Sequence, residues 1–119
     1  MTDSATVSAW VAGYQKAWAS NAPDDLRAIF TDDATYSGRP HDERSWVGID
    51  AIIAGWTDHS DEPGSFEFEW NPVAIEGDTA VVQAAVAYTG DTTWDDLWVI
   101  RFAPDGRAVE FTEWPIARE

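Results

Sequence analysis

The chain has no cysteine, and that removes disulfides, thiol nucleophiles and thiolate metal ligands together. It is poor in positive charge: seven Lys and Arg stand against 22 Asp and Glu, for a net charge of −15. Nucleic acids and anionic membranes are bound through a basic footprint, which this balance excludes. No stretch reaches the roughly 18 apolar residues of a membrane span. The opening MTDSATVSAW has no basic segment leading into an apolar run. These two absences predict a cytoplasmic protein without a signal peptide. There are only two histidines, and neither HxH nor HxxxH spacing occurs. With no Gly-rich phosphate loop and no GxSxG elbow either, no metal and no cofactor are expected.

Aromatic residues are abundant: 119 residues carry eight Trp, five Phe and three Tyr. A hydrophobic fraction of 45% and this length fit one domain, residues 1–119, with one core. The strongest local signal is Thr93–Ile116, two alternating arms about a turn at Pro104-Asp105-Gly106. On the first arm Trp94, Asp96, Trp98, Ile100 and Phe102 share a face. On the second, Val109, Phe111 and Glu113 share one. Such a ribbon is marginal alone in water, so the rest of the chain must cover it.

The cover is legible in order. Val7, Trp10, Val11, Tyr14 and Trp18 form one stripe of an amphipathic helix over residues 4–20, with Asp3 or Ser4 as cap. Asn21-Ala22-Pro23 breaks it, and Pro23-Asp24-Asp25 opens a short second helix. A short strand follows at Ala34–Tyr36, then the polar loop GRPHDERS (38–45). Trp46-Val47-Gly48 leads into a third helix, Ile49–His59, whose last residue reads as a cation on the helix dipole. Residues 60–65 are a linker. From Phe66 the pattern is strand after strand: Phe66–Trp70, Thr79–Thr89, then the hairpin. Helices followed by antiparallel strands predict an α+β fold. Three N-terminal helices would cover one face of a curved, mostly antiparallel sheet, a conical barrel.

This order of elements resembles the nuclear-transport-factor-2-like superfamily, in its SnoaL-like and ketosteroid-isomerase-like branch. The resemblance is carried by Tyr14 and Trp18, by DDLRAIFTDDATYSG (Asp24–Gly38), by Gly48–Ile52 and by RFAPDGRAVEFTEWPI (Arg101–Ile116). It implies a cone with an apolar pocket, and a homodimer formed through the outer sheet face. Val81, Gln83, Leu97 and Val99 are the residues expected there. For activity it implies either cofactor-free acid–base chemistry on a small hydrophobic molecule (isomerisation, cyclisation or dehydration) or binding without chemistry.

Compared with the isomerases, Tyr14 occupies the place of their oxyanion-donating tyrosine. Gly38 stands where they carry the basic Asp, and Trp98 near their second, acidic donor. Two of three groups are therefore missing. Other proton-transfer candidates are His41, in a loop after the first strand that reads equally as a plain solvated one, and Asp96. The latter lies either in apolar surroundings, if its face lines a cavity, or at the solvated rim. Catalysis is thus assigned to Asp96, His41 and Tyr14. Tyr14, Trp18, Tyr36, Trp56, Trp70, Tyr88, Trp98 and Trp114 either line a ligand cavity or fill the cone. Glu113 is expected to pair with Arg101 on the neighbouring arm, a structural contact. An Asp–Arg–Glu catalytic set from Asp96, Arg101 and Glu113 is disfavoured, because Arg101 points away from Asp96.

Overall fold

Helix α1 (Ser4–Ser20) begins where expected: the Asp3 carboxylate accepts from the Thr6 backbone N–H at 2.9 Å and caps it. Asn21 ends it in a left-handed conformation (φ 53°), its N–H returning to the Ala17 carbonyl. Pro23 starts the five-residue α2 (Pro23–Arg27), with Asp24 and Asp25 in its first turn. These features come from a computed structural model that describes residues 2–38, 45–58, 66–88 and 93–118. The loop holding His41, the residue His59 and the 60–65 linker lie outside those residues.

Among the described residues the remaining elements are β1 (Phe30–Ser37), β2 (Trp46–Val47), α3 (Ile49–Asp58), β3 (Phe66–Glu76), β4 (Thr79–Tyr88), β5 (Thr93–Phe102) and β6 (Ala108–Ala117). They form one six-stranded sheet in the order β2-β1-β6-β5-β4-β3, antiparallel except where β1 runs parallel to β6. The α+β architecture is the expected one, with an unclosed sheet and three helices. Three element boundaries differ from the sequence reading. The first strand starts at Phe30 rather than Ala34, because its front half follows an irregular register that propensity does not reveal. Trp46-Val47 is a strand of its own, and β3 runs on to Glu76 through Pro72, which an edge strand tolerates. That edge also carries Glu67 and Glu69 on its outward side, which discourages pairing with another sheet edge.

The concave face is built by alternation. Val82, Ala84 and Val86 of β4, Trp98, Ile100 and Phe102 of β5, and Phe111 of β6 are all buried there. The α1 stripe of Val7, Trp10, Val11, Tyr14 and Trp18 closes over them, all buried. One departure from alternation matters. Arg101 pairs with Glu110 but Phe102 pairs with Ala108, so Val109 is an extra residue on β6. This bulge turns both Ala108 and Phe111 into the core and leaves Val109 half-buried, against the expectation that Val109 and Phe111 share the inner side.

Trp10 is the centre of the packing. Its ring lies within 6.3 Å, centroid to centroid, of Tyr14, Phe30, Trp98, Phe102 and Phe111, and its indole N–H donates to the Ile29 carbonyl at 2.8 Å. Gly55 of α3 faces the ring of Trp46, where an added Cβ would fall 2.2 Å from Cε2. Gly55→Ala must therefore displace a rigid indole that stacks on Tyr36 at 4.9 Å. Overpacking costs typically 1–3 kcal/mol, set against the roughly 1 kcal/mol that alanine regains in a helix. We expect a net loss of stability in urea denaturation and a changed near-ultraviolet dichroism. Unchanged spectra would show that Trp46 yields without cost.

Candidate functional site

Four polar side chains from four elements meet among the rings. Tyr14 comes from the α1 stripe, Tyr36 from the last turn of β1, and Asp96 and Glu113 from neighbouring strands. Glu113 lies directly across from Trp98, and Asp96 is two residues from Trp98 on β5, so all three share the concave face. The inward placement of Asp96 follows from the alternation of β5, and only 7% of its surface is exposed. Glu113 is half-buried and keeps more surface than Asp96.

The hydroxyls of Tyr14 and Tyr36 are 3.4 Å apart, and the Tyr36 hydroxyl donates to Glu113 Oε1 at 3.4 Å. Both phenols are held well above their usual proton affinity, mainly by burial and then by the neighbouring charges. They remain hydrogen-bond donors at any physiological pH. Burial also raises Asp96. Glu113 is raised from 4.5 to about 8, first by burial and then by the charge of Asp96 and a hydrogen bond to it. That bond acts oppositely on its two ends: it lowers Asp96 and raises Glu113. The arrangement is thus a coupled carboxyl pair in which burial and mutual repulsion disfavour two charges at once, with both groups raised and Glu113 held up to about 8.

Two atoms of this cluster are enclosed without a hydrogen-bond partner: Asp96 Oδ1 and the indole nitrogen of Trp98. The Trp98 N–H lies close enough to favour the ionised form of both carboxyls, but falls short of full hydrogen-bond geometry with either. Buried polar groups in native proteins are nearly always satisfied, so two orphans side by side mark this spot out.

Arg101 takes no part. It pairs with Glu110 across the convex face, Nη2 to Oε1 at 3.0 Å, rather than with Glu113 as the sequence suggested. The Val109 bulge decides this, since it sets Glu110 opposite Arg101 and leaves Glu113 opposite Trp98. The Asp96–Arg101–Glu113 set, already disfavoured by alternation, is excluded by the same pairing. The partner that sequence reasoning missed is Glu113 itself, together with Tyr36 as a polar rather than merely aromatic group.

The eight aromatic candidates divide. Trp18 stacks on Phe66 at 3.9 Å, Trp56 meets Tyr14 edge-on at 5.2 Å, and Trp98 contacts Tyr14 at 4.6 Å. Trp70 and Tyr88 pack against the same core from β3 and β4. Trp114 does not join them: it pairs across from Leu97, on the convex side. Among the described residues no group of three His, Asp or Glu is arranged to hold a metal ion. A separate cleft of about 470 Å³ lies at the far end of the molecule, between Thr6, Asp78 and the Pro104–Gly106 turn, away from the carboxyl pair. No helix of the described residues is long and apolar enough to cross a membrane.

A curved sheet wrapped around helices, with its polar groups buried at one end of the concave face, defines the class of nuclear-transport-factor-2-like, cystatin-like folds. Solved structures agree. An NTF-2-like protein of unknown function from Burkholderia xenovorans LB400 superposes with a TM-score of 0.74 at 19% identity, covering 96% of this chain and 85% of that one. An NTF-2-like protein of unknown function from Silicibacter pomeroyi DSS-3 does so with 0.67 at 25% identity, covering 99% and 100%. A steroid delta-isomerase from Pseudomonas aeruginosa gives 0.63 at 20% identity, covering 94% and 80%. Within that class the chain belongs to the SnoaL-like domain family, whose model matches residues 11–111. No curated protein matches it.

Proposed function

We propose that this protein carries out cofactor-free acid–base chemistry, of the isomerisation, cyclisation or dehydration kind, on a small hydrophobic molecule. The observation that carries this reading is the coupled pair of Asp96 and Glu113 against the Tyr36 and Tyr14 hydroxyls. Ionised Asp96 is the base that takes a proton from carbon. Protonated Glu113 is the acid, and the tyrosines are donors toward a developing oxyanion. The aromatic walls exclude water and select an apolar skeleton. Steroid and isomerase neighbours lend the class support through fold alone. His41, in its loop beyond the described residues, remains a second proton-transfer candidate.

Tryptophan fluorescence tests the binding half of this reading. A ligand entering the cone should quench or shift the emission saturably when steroids, polyketides and terpenoids are titrated in. With a turned-over compound in hand, Asp96→Asn should cut kcat by 10²–10⁴-fold. The wild-type rate should fall above about pH 8, where Glu113 loses its proton. An unchanged rate in Asp96→Asn would sink the assignment of the base.

A binding module without chemistry is the alternative, favoured by the way Tyr14 and Tyr36 already satisfy each other within the fold. We further infer a homodimer through the convex face, where Val81 pairs with Val99 and Gln83 with Leu97, beside Trp114. Leu97 is 38% exposed there and Ile116 64%, and such a stripe suits burial against a second copy. Sedimentation at micromolar concentration should give twice 13.2 kDa, and Leu97→Lys should lower it to 13.2 kDa. A 13.2 kDa species from the wild type would refute the dimer.

A further inference from the structure

The two enclosed orphans are of opposite kind. Trp98 offers an N–H that lies near both carboxyls without reaching full hydrogen-bond geometry to either, and Asp96 Oδ1 is an acceptor with nothing donated to it. They stand two residues apart on one face of β5, with Glu113 opposite Trp98. Trp98 is completely buried and Asp96 more than nine-tenths buried, so neither finds compensation in bulk solvent. We propose that this end of the site binds the hydroxyl group of a neutral hydrophobic alcohol, accepting from Trp98 Nε1 and donating to Asp96 Oδ1. The inference rests on the small-molecule reading above and narrows it to a chemical class.

Hydrogen-bond complementarity makes the choice. A ketone or ether only accepts, so it would satisfy the indole and leave the Asp96 oxygen bare. An ammonium only donates, leaving the indole bare. A carboxylate or phosphate would bring negative charge onto a carboxyl pair that already cannot ionise fully. A hydroxyl both accepts and donates from one atom, and so matches both orphans at once. The carboxyl end is also where the cluster meets the surface, since Glu113 is only partly covered and Pro115, across from Asp96, is exposed. Sites built to bond a substrate hydroxyl discriminate strongly against the analogue lacking it, because their own polar groups are then stranded.

The test uses the intact protein and three matched bicyclic probes: 1-tetralol, 1-tetralone and tetralin, titrated by calorimetry near pH 7. The alcohol should bind roughly tenfold or more tightly than the other two. In Trp98→Phe and in Asp96→Leu that preference should collapse toward unity. Asp96→Leu removes a buried carboxyl whose charge opposes that of Glu113 and keeps all the aromatic packing, so it decides the matter if Trp98→Phe fails to fold. Equal binding of all three probes, or tighter binding of tetralone, overturns the hydroxyl assignment while leaving an aromatic binding site in place. Failure of all three to bind overturns both.

Discussion

Glu113→Gln should make the protein more stable at pH 8–9 and nearly inactive. The stability half follows from linkage. In the unfolded chain Glu113 ionises near 4.5, whereas in the fold it holds its proton up to about 8. Between those values the native state binds a proton that the unfolded state has released. Stability is therefore fully present below about pH 4.5 and declines as pH rises through the window to about 8. Asp96, raised by its own burial, acts in the same direction. Each unit of displacement corresponds to about 1.4 kcal/mol, so the loss across the window amounts to a few kcal/mol. Glutamine keeps the shape, still donates toward Asp96 and still accepts from Tyr36, but has no proton to lose. The variant's melting temperature should therefore stay nearly flat with pH. At pH 8–9 it should exceed that of the wild type by on the order of 5–10 °C. Turnover should fall by 10²–10⁴-fold, because the amide cannot return a proton to the reacting molecule. Gains in stability paired with loss of activity are what a site held under electrostatic strain for function should show. A variant whose melting temperature follows pH as steeply as the wild type's would mean that Glu113 is not the group holding the proton.

Trp10→Ala should be the most damaging single change. The residue is 2% exposed, touches five other rings, and its indole N–H ties α1 to the carbonyl of Ile29 just before β1. Truncating a buried Trp costs about 3–5 kcal/mol, the transfer term plus the cavity left behind. A domain of this size has only 5–15 kcal/mol in total. Trp10→Phe separates the two contributions: it keeps most of the ring and loses the hydrogen bond, for roughly 1–2 kcal/mol. The Ile29 carbonyl retains the Ala108 N–H at 2.7 Å, so it is not stranded. Urea midpoints at constant slope would measure both variants. A loss under about 1 kcal/mol for Trp10→Ala would mean that the aromatic cluster can repack around the gap.

The parts of this protein that its sequence determined are those set by short-range geometry. A helix repeats every 3.6 residues, so Val7, Trp10, Val11, Tyr14 and Trp18 had to share a side. A strand repeats every two, so Asp96 had to point with Trp94, Trp98 and Ile100; that this face is covered at Asp96 rather than open to solvent came from the fold. The same alternation already set Trp114 against Glu113, which is why Trp114 belongs to the convex face and not to the aromatic lining. Asp3, Asn21 and Pro23 marked helix ends through their own backbone preferences. Charge composition excluded whole classes of partner without reference to any fold.

What the sequence did not carry is which side chain lies across from which. Arg101 and Glu113 looked complementary because opposite charges on adjacent strands usually pair. One extra residue, Val109, shifts the register so that Arg101 meets Glu110 in the open and Glu113 meets Trp98 in the core. A bulge belongs to the pairing of two strands, here β5 with β6, and not to anything local to Val109. The same holds for Tyr36 and Asp96. Sixty residues separate them, and only the parallel pairing of β1 with β6 sets the tyrosine hydroxyl against Glu113 and, through it, against Asp96. Proton affinities follow from that placement, since a carboxyl is shifted by burial and neighbouring charge, and both are properties of the folded surroundings alone.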